Sequence, residues 1–292
     1  MIVLSAFDGI SCGQLALQRA GIIVDEYYSS EIDKYAIKIT HKNFPKTIQL
    51  GDIQNVHAVD IQGGHIDLLI GGSPCQGFSN AGEGLNFGDA RSKLFFEYVR
   101  LLNEIRKYNP DVKFLLENVV MKQEWQDIIS AYLGVKPVLI NSSLVSAQNR
   151  ERLYWTNFPF KIPTDKGIML KDILSLYQSK DVHSDKAIAY MNRTVKGGRS
   201  HWDFGHHSDT NKDKSACITR NFHKGVPYNV LIDRTSAFYG HFLIRKFTLV
   251  ECERLQTLPD TYTSGISDTQ RYMCIGNGWT VDVIAHIFKE LK

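Results

Sequence analysis

The feature that most constrains this chain is the alternation of short apolar runs with amphipathic stretches across its first 120 residues. Residues 2–6 read as a strand, 12–20 as a helix, 24–29 as a strand and 34–43 as a helix. Residues 67–71 are a continuous apolar run ending in glycines, 94–108 carry apolar residues at helical spacing, and 114–117 read as another buried strand. Strands alternating with helices predict an α/β fold, a mostly parallel sheet with helices on both faces. In such sheets ligands bind beyond the carboxyl ends of the strands. The pattern weakens after about residue 159, and residues 178–225 are polar, which predicts a smaller, less regular lobe. Helical periodicity returns at 249–255 and 281–291, so the end of the chain is expected to rejoin the first domain. The expected division is 1–157 plus 264–292 as one domain, 158–245 as a second, and 246–263 as the connection between them.

Composition narrows the function classes. The chain has 292 residues, of which 43% are hydrophobic, enough to bury a full core. No apolar run reaches the roughly 20 residues of a membrane helix, and residues 1–5 lack the basic region of a signal peptide. The five cysteines (Cys12, Cys75, Cys217, Cys252, Cys274) are scattered and form no CxxC pair. That pattern predicts free thiols in a reducing cytoplasm and no metal site. Charge is uneven: residues 158–245 hold 14 Lys/Arg against 8 Asp/Glu, a net +6, whereas the remainder is 20 against 23, a net −3. A basic segment on a slightly acidic body suits a polyanion binder, although a solvated basic surface gives the same counts.

The chemistry-bearing residues sit at the predicted strand ends. Phe7-Asp8-Gly9-Ile10-Ser11-Cys12-Gly13 follows the first strand and opens a helix, where glycine allows close backbone approach to a ligand. Glu31 follows the second strand, a place from which an acid commonly accepts from ribose hydroxyls. Asp52, after Gly51, is a third such residue. Each also reads as a helix cap or turn former; their order together favours a nucleoside-containing cofactor. Gly71-Gly72-Ser73-Pro74-Cys75-Gln76-Gly77-Phe78-Ser79 places a cysteine on a Gly/Pro loop after a strand, where it can be held as a thiolate; a lone cysteine is more often a buried inert thiol. Glu117-Asn118-Val119 ends a strand and offers a partly desolvated carboxyl as a proton donor. Arg150 and Arg152 alternate; in an extended segment both face one side and hold an anion or carbonyl oxygen, unless they form a surface ion pair with Glu151.

Taken in order, Phe7–Gly13, Glu31, Gly51-Asp52-Ile53, Ser73-Pro74-Cys75-Gln76, Glu117-Asn118-Val119, Gln148–Arg152, residues 245–262 and Gly276-Asn277-Gly278 resemble the cytosine-C5 DNA methyltransferase family. Residues 116–122 and Trp279 are also similar to eukaryotic de novo enzymes, while the compact length resembles prokaryotic or phage members. Two places depart from the usual pattern: Ser11-Cys12 stand where many relatives have smaller residues, and the last motif reads Gly-Asn-Gly-Trp rather than Gly-Asn-Ser-Val.

The resemblance implies a Rossmann-like S-adenosylmethionine-dependent methyltransferase sheet with a target-recognition lobe at 158–245. It implies Cys75 as the nucleophile on carbon 6 of cytosine, Glu117 at ring N3 and Arg152 at the base carbonyl O2, with Pro74 shaping the loop and Asn118 supporting the site. For S-adenosylmethionine, and its product S-adenosylhomocysteine, it implies Phe7, Asp8, Gly9, Ile10, Gly13, Glu31, Ile32, Asp52, Ile53, Ser73, Pro74, Asn277, Gly278 and Trp279. For double-stranded DNA with the base flipped out, the candidates are Gln76, Ser79, Arg91, Arg150, Arg193, Arg199 and Arg220. A monomer in a bacterial or phage-infected cytoplasm is expected, with a cognate restriction endonuclease as a candidate partner. The rival expectations are a tRNA methyltransferase, since one branch of the family is known for tRNA, and a non-catalytic DNA-binding homologue.

Overall fold

A computed structural model describes residues 1–73, 93–195, 197–204, 207–235 and 243–291. It divides into two compact units: residues 1–140, 151–162 and 283–292 form unit 1, and residues 141–150 and 163–282 form unit 2.

Unit 1 follows the alternation of the sequence. Its elements run β1 (Ile2–Ala6), α1 (Cys12–Ala20), β2 (Glu26–Ser30), α2 (Lys34–Asn43), β3 (Ile48–Gln49), β4 (Leu68–Gly72), α3 (Lys93–Arg106), β5 (Lys113–Val119), α4 (Gln123–Leu133), β6 (Val138–Asn141) and β7 (Glu151–Thr156). The seven strands take the order β3-β2-β1-β4-β5-β7-β6. The pairs from β3 to β5 are parallel, and β5–β7 is antiparallel. α3 buries Phe95, Tyr98, Val99, Leu101, Leu102 and Ile105, the spacing of one helical face. They join Leu4, Leu69, Phe114, Leu116 and Trp155 in one apolar core. Tyr98 donates its hydroxyl to Leu115 O at 3.0 Å, which ties α3 to β5. A Cβ on Gly71 would stand 3.0 Å from both that ring and Ala6 O, so the glycine lets helix and strand close together.

Unit 2 is less regular, as expected from its polar sequence. It contains α5 (Asp185–Met191), a three-stranded sheet of β8 (Ser208–Asp209), β9 (Leu231–Asp233) and β10 (Leu243–Arg245), then α6 (Leu249–Leu255) and α7 (Asp268–Asn277). Its core gathers Ala147, Leu170, Ile218, Phe222, Leu231, Phe247, Leu255 and Ile275. The closing α8 (Val281–Phe288) begins in unit 2 and ends in unit 1.

The unit boundaries differ from the division drawn on the sequence. Residues 246–282 lie in unit 2 rather than in a connector and the first domain. Two contacts explain it. Arg245, fully buried, donates to both carboxylate oxygens of Glu251 at 2.9 Å and to Asp233 at 2.8 Å, which ties β9, β10 and α6 together. Gly276 of α7 lies against the backbone of Thr219 and Arg220, where a Cβ would stand 2.3 Å from the Thr219 carbonyl carbon.

Candidate active site

Strand register assembles the site in unit 1. Ala6 pairs with Ser30 on β2 and with Gly71 on β4, and Gly72 pairs with Glu117 on β5. β7 runs the opposite way, so its first residues reach the same edge: Val119 pairs with Arg152 and Asn118 with Leu153. Phe7, Glu31, Ser73, Glu117, Asn118 and Arg152 therefore line one edge of the sheet. The strand order reverses between β1 and β4, the place where open α/β sheets bind ligands.

On the β5 side of this edge, Arg152 Nε stands 2.9 Å from Glu117 Oε1, with both side chains largely buried. Arg152 Nη1 also donates to Glu151 O at 2.7 Å. The amide of Asn118, buried, donates to Ser73 Oγ at 3.0 Å and joins the end of β5 to the end of β4. A sheltered carboxyl backed by a guanidinium can hold the polar edge of a heterocycle and stabilise charge that develops there.

On the β1 side, Phe7, Gly9 and Ser11 alternate in the left-handed region, with φ of 57°, 59° and 56°. Two of these are not glycine, so the turn needs internal support. Asp8 provides it: its carboxylate accepts from the Ser11 hydroxyl, from Tyr27 OH at 2.7 Å and from Ser29 Oγ at 3.0 Å. Burial pushes the Asp8 carboxyl above the usual carboxylate range, outweighing the hydroxyl bonds that lower it. Glu31 accepts from the backbone N–H groups of Gly9, Ile32 and Asp33, each at 2.8 Å, and so couples the ends of β1 and β2.

Several sequence-based assignments change in kind. The Asp8 carboxylate serves the loop, and Asp52 caps a 3₁₀ turn by accepting from Gln54 N at 3.0 Å, the alternative its position also allowed. Ile10 and Ile53 are core side chains and Gly13 is buried in α1. Arg150 and Arg152 do not share a face. Arg150 precedes β7 and is buried in unit 2, donating to Ile218 O at 2.9 Å, Gly278 O at 3.1 Å and Gly276 O at 3.4 Å. It pins backbone, which removes it from the DNA candidates. Pro74, Cys75, Gln76, Ser79 and Arg91 lie outside the described residues.

Also in unit 2, Asn277 is exposed at the end of α7, Gly278 is buried and Trp279 is half-buried. Arg193, Arg199 and Arg220 are exposed. Among the described residues none of these three pairs with a carboxylate, whereas Arg234, Arg245, Arg254 and Arg271 of the same unit all do. His201 stacks on Tyr190 with centroids 4.5 Å apart.

A sequence model of the C-5 cytosine-specific DNA methylase family matches residues 1–292. The chain belongs to that family. The methylase is 30% identical to the type II methyltransferase M.NlaX of Neisseria lactamica over 311 residues, covering 99% of this chain and 96% of the relative. It is also 30% identical to the type II methyltransferase M1.ScrFI of Lactococcus lactis subsp. cremoris, covering 92% and 72%. Among solved structures, the Entamoeba histolytica methyltransferase EhMeth superposes with a TM-score of 0.79 at 18% identity, covering 100% of this chain and 99% of that one. The S. pombe Dnmt2 methyltransferase does so at 0.74 and 17%, with the same coverage. Those likenesses speak for the fold, the α/β methyltransferase sheet expected from the sequence. The methylase is a DNA cytosine-5-methyltransferase, with DNA as its substrate.

The methylase's edge also fits a nucleoside-bearing cofactor. Ile32, 74% exposed, stands beside Glu31, and a Cβ on Gly9 or Gly51 would meet nothing within 4 Å. An exposed apolar side chain, a held carboxylate and two open glycine positions leave room for an adenine and ribose. Sequence reasoning missed Tyr27 and Ser29, which complete the Asp8 hub, because inward-facing strand residues carry no motif of their own. It also missed Lys214, whose ammonium donates to the carbonyls of Ser143 and Ile168 at 2.6 Å and of Ser146 at 3.1 Å. That lysine holds the segment leading to Arg150.

Proposed function

We propose that this methylase acts on a cytosine flipped out of duplex DNA through a covalent adduct to Cys75, using S-adenosylmethionine. The observation that carries the reading is the Glu117–Arg152 pair. It stands at the sheet edge beside Ser73, two residues before Cys75 in the chain. A carboxyl and a guanidinium presented together suit ring N3 and carbonyl O2 of a cytosine.

Cytosine carbon 5 is a weak nucleophile. Addition of the Cys75 thiolate to carbon 6 moves the electron pair of the 5,6 double bond onto carbon 5. Glu117 stabilises the charge at N3 by hydrogen bonding or proton donation, and Arg152 does so at O2. When bound, S-adenosylmethionine would supply the electrophilic methyl group for carbon 5, with S-adenosylhomocysteine as the product. A base then removes the carbon-5 proton, the carbon–sulfur bond breaks and the thiolate returns. Phe7 and Ile32 offer apolar contact to an adenine, and Glu31 accepts from ribose hydroxyls. Asp52 is assigned to the adenine amine, and the Asn277–Trp279 segment to the methionine end. Pro74 shapes the cysteine loop.

Thiolate attack needs a face of the base that stacking covers, so the cytosine must leave the helix, at a few kcal/mol of unstacking. Gln76 and Ser79 are assigned to the vacated space and Arg91 to a phosphate. The basic, irregular part of unit 2 is assigned to reading sequence. The type II names of the relatives support a modification role beside a restriction endonuclease, and a monomer acting in a bacterial cytoplasm is part of the same proposal.

The test combines trapping with mutation. Duplex DNA carrying 5-fluorocytosine at the target should give a denaturation-resistant adduct, because fluorine cannot leave as a proton does. Cys75→Ser should form no adduct and transfer no methyl group while still binding DNA. Substantial turnover by Cys75→Ser would overturn the nucleophile assignment. Preference for tRNA over duplex DNA in the same assay would favour the RNA reading.

A further inference from the structure

Residues 193–204 carry a feature that the reaction itself does not use. Thr194 and Ser200 form an antiparallel bridge, Val195 N donates to Arg199 O at 2.7 Å, and Gly197 and Gly198 turn the chain with φ of 89° and 76°. Asp203 closes this small hairpin by accepting from Ser200 N at 2.6 Å and Ser200 Oγ at 3.0 Å, and Trp202 Nε1 donates to Asn192 at 2.8 Å. Arg193 and Arg199 flank the Thr194–Ser200 bridge, and His201 opens the 3₁₀ turn His201–Phe204 that follows it. Arg193 lies 5.8 Å from the Tyr190 ring centroid, His201 stacks on the same ring, and Arg199 lies 5.2 Å from the Phe204 centroid.

Arg193, Arg199 and Arg220, exposed and in no ion pair within 4 Å among the described residues, differ in how firmly they are held. Arg220 has no ring beneath it among the described residues, and Arg193 has a ring alone. Arg199 has both a ring and a hydrogen bond, since its Nη2 donates to Asp203 O at 2.9 Å. Two constraints fix the plane of a guanidinium, and a planar fork held in advance loses less freedom on pairing with a base edge. The Asp203 carboxylate is held below its ordinary range chiefly by its bonds to Ser200 and in smaller part by the charge of Arg199, whose hydrogen bond goes to the Asp203 carbonyl.

We propose that this hairpin is the base-reading edge of the methylase and that Arg199 is a specificity-determining residue that reads a guanine in the major groove, with Arg193 on a phosphate. A two-stranded ribbon fits that groove, and the O6 and N7 acceptors of guanine match two donors of a guanidinium fork. The proposal rests on the reading of unit 2 as the DNA reader.

The test is methylation of a duplex pool with randomised bases around cytosine, read by bisulfite sequencing, for wild type, Arg199→Lys, Arg199→Gln and Arg193→Ala, each checked for a wild-type unfolding midpoint. Both Arg199 variants should lose discrimination at one position where wild type requires guanine, by about tenfold or more. Arg193→Ala should lower methylation of all sites by a similar factor and flatten the salt dependence. An unchanged site profile in both Arg199 variants, or an equal loss at every site, overturns the proposal. A wild-type protein that methylates no cytosine in the pool would instead overturn the proposed function.

Discussion

Arg152 sits opposite Val119 in the β5–β7 pair and reaches diagonally, on the same face, to the Glu117 carboxylate at 2.9 Å. Diagonal neighbours on a sheet lie within reach of a long side chain, so the pair is built by strand register and does not depend on a loop. Replacing Glu117 with Gln should leave the fold intact and slow methyl transfer by roughly 10²-fold or more. Replacing Arg152 with Met should slow it similarly and also destabilise the protein by about 1–3 kcal/mol, because it strands a sheltered carboxylate. Single-turnover methyl transfer and denaturant unfolding measure the two effects. Near-wild-type turnover by Glu117→Gln would remove Glu117 from the chemistry.

Asp8 gives a pH prediction with a definite sign. Its folded carboxyl titrates above its ordinary value because burial disfavours the charged form. Its favourable contribution is therefore complete below the unfolded value and is lost as pH rises through the raised folded value. Asp8→Asn removes this dependence. The stability of Asp8→Asn minus that of wild type should be larger at pH 7 than at pH 4, as read from urea midpoints at both values. A difference that grows toward acid would show the opposite sign and refute the burial argument.

Ser11 holds a left-handed conformation and donates to Asp8. Ser11→Ala keeps the strain and loses the bond, so it should cost about 1–2 kcal/mol. Ser11→Gly loses the bond but relieves the strain, and should fall between the alanine variant and wild type. Thermal unfolding of the three proteins orders them.

Arg150→Ala should act on stability rather than on DNA. The guanidinium donates to three buried carbonyls, and its loss should cost about 2–4 kcal/mol. The slope of DNA affinity against salt should not change, since no phosphate contact is removed. A shallower slope in a folded variant would return Arg150 to the interface.

The α/β sheet was legible because a buried parallel sheet needs continuous apolar strands and its helices need a period near 3.6. The observed α2 and α6 match the expected bounds. Glu117 and Arg152 were legible as candidates, but their meeting depends on β7 being antiparallel and on its register, which alternation alone does not encode. Arg150 was misread because an arginine buried on carbonyls and one aimed at a phosphate carry the same letter. The path of residues 246–282 was misread for a similar reason: the Arg245–Glu251 and Gly276–Thr219 contacts join residues that no local period connects.

The seat of Gly276 on the Thr219–Arg220 backbone bears on how this methylase can be recombined. A graft cut at residues 158 and 245 would take one side of that seat from the donor and the other from the recipient, and would separate Arg245 from Glu251. Any donor with a side chain at the glycine position, or a different path near residue 219, would produce a steric misfit that resembles a loss of recognition. Residues 163–282 travelling together carry both halves of each contact, so the transplantable module is larger than the stretch in which family motifs are missing.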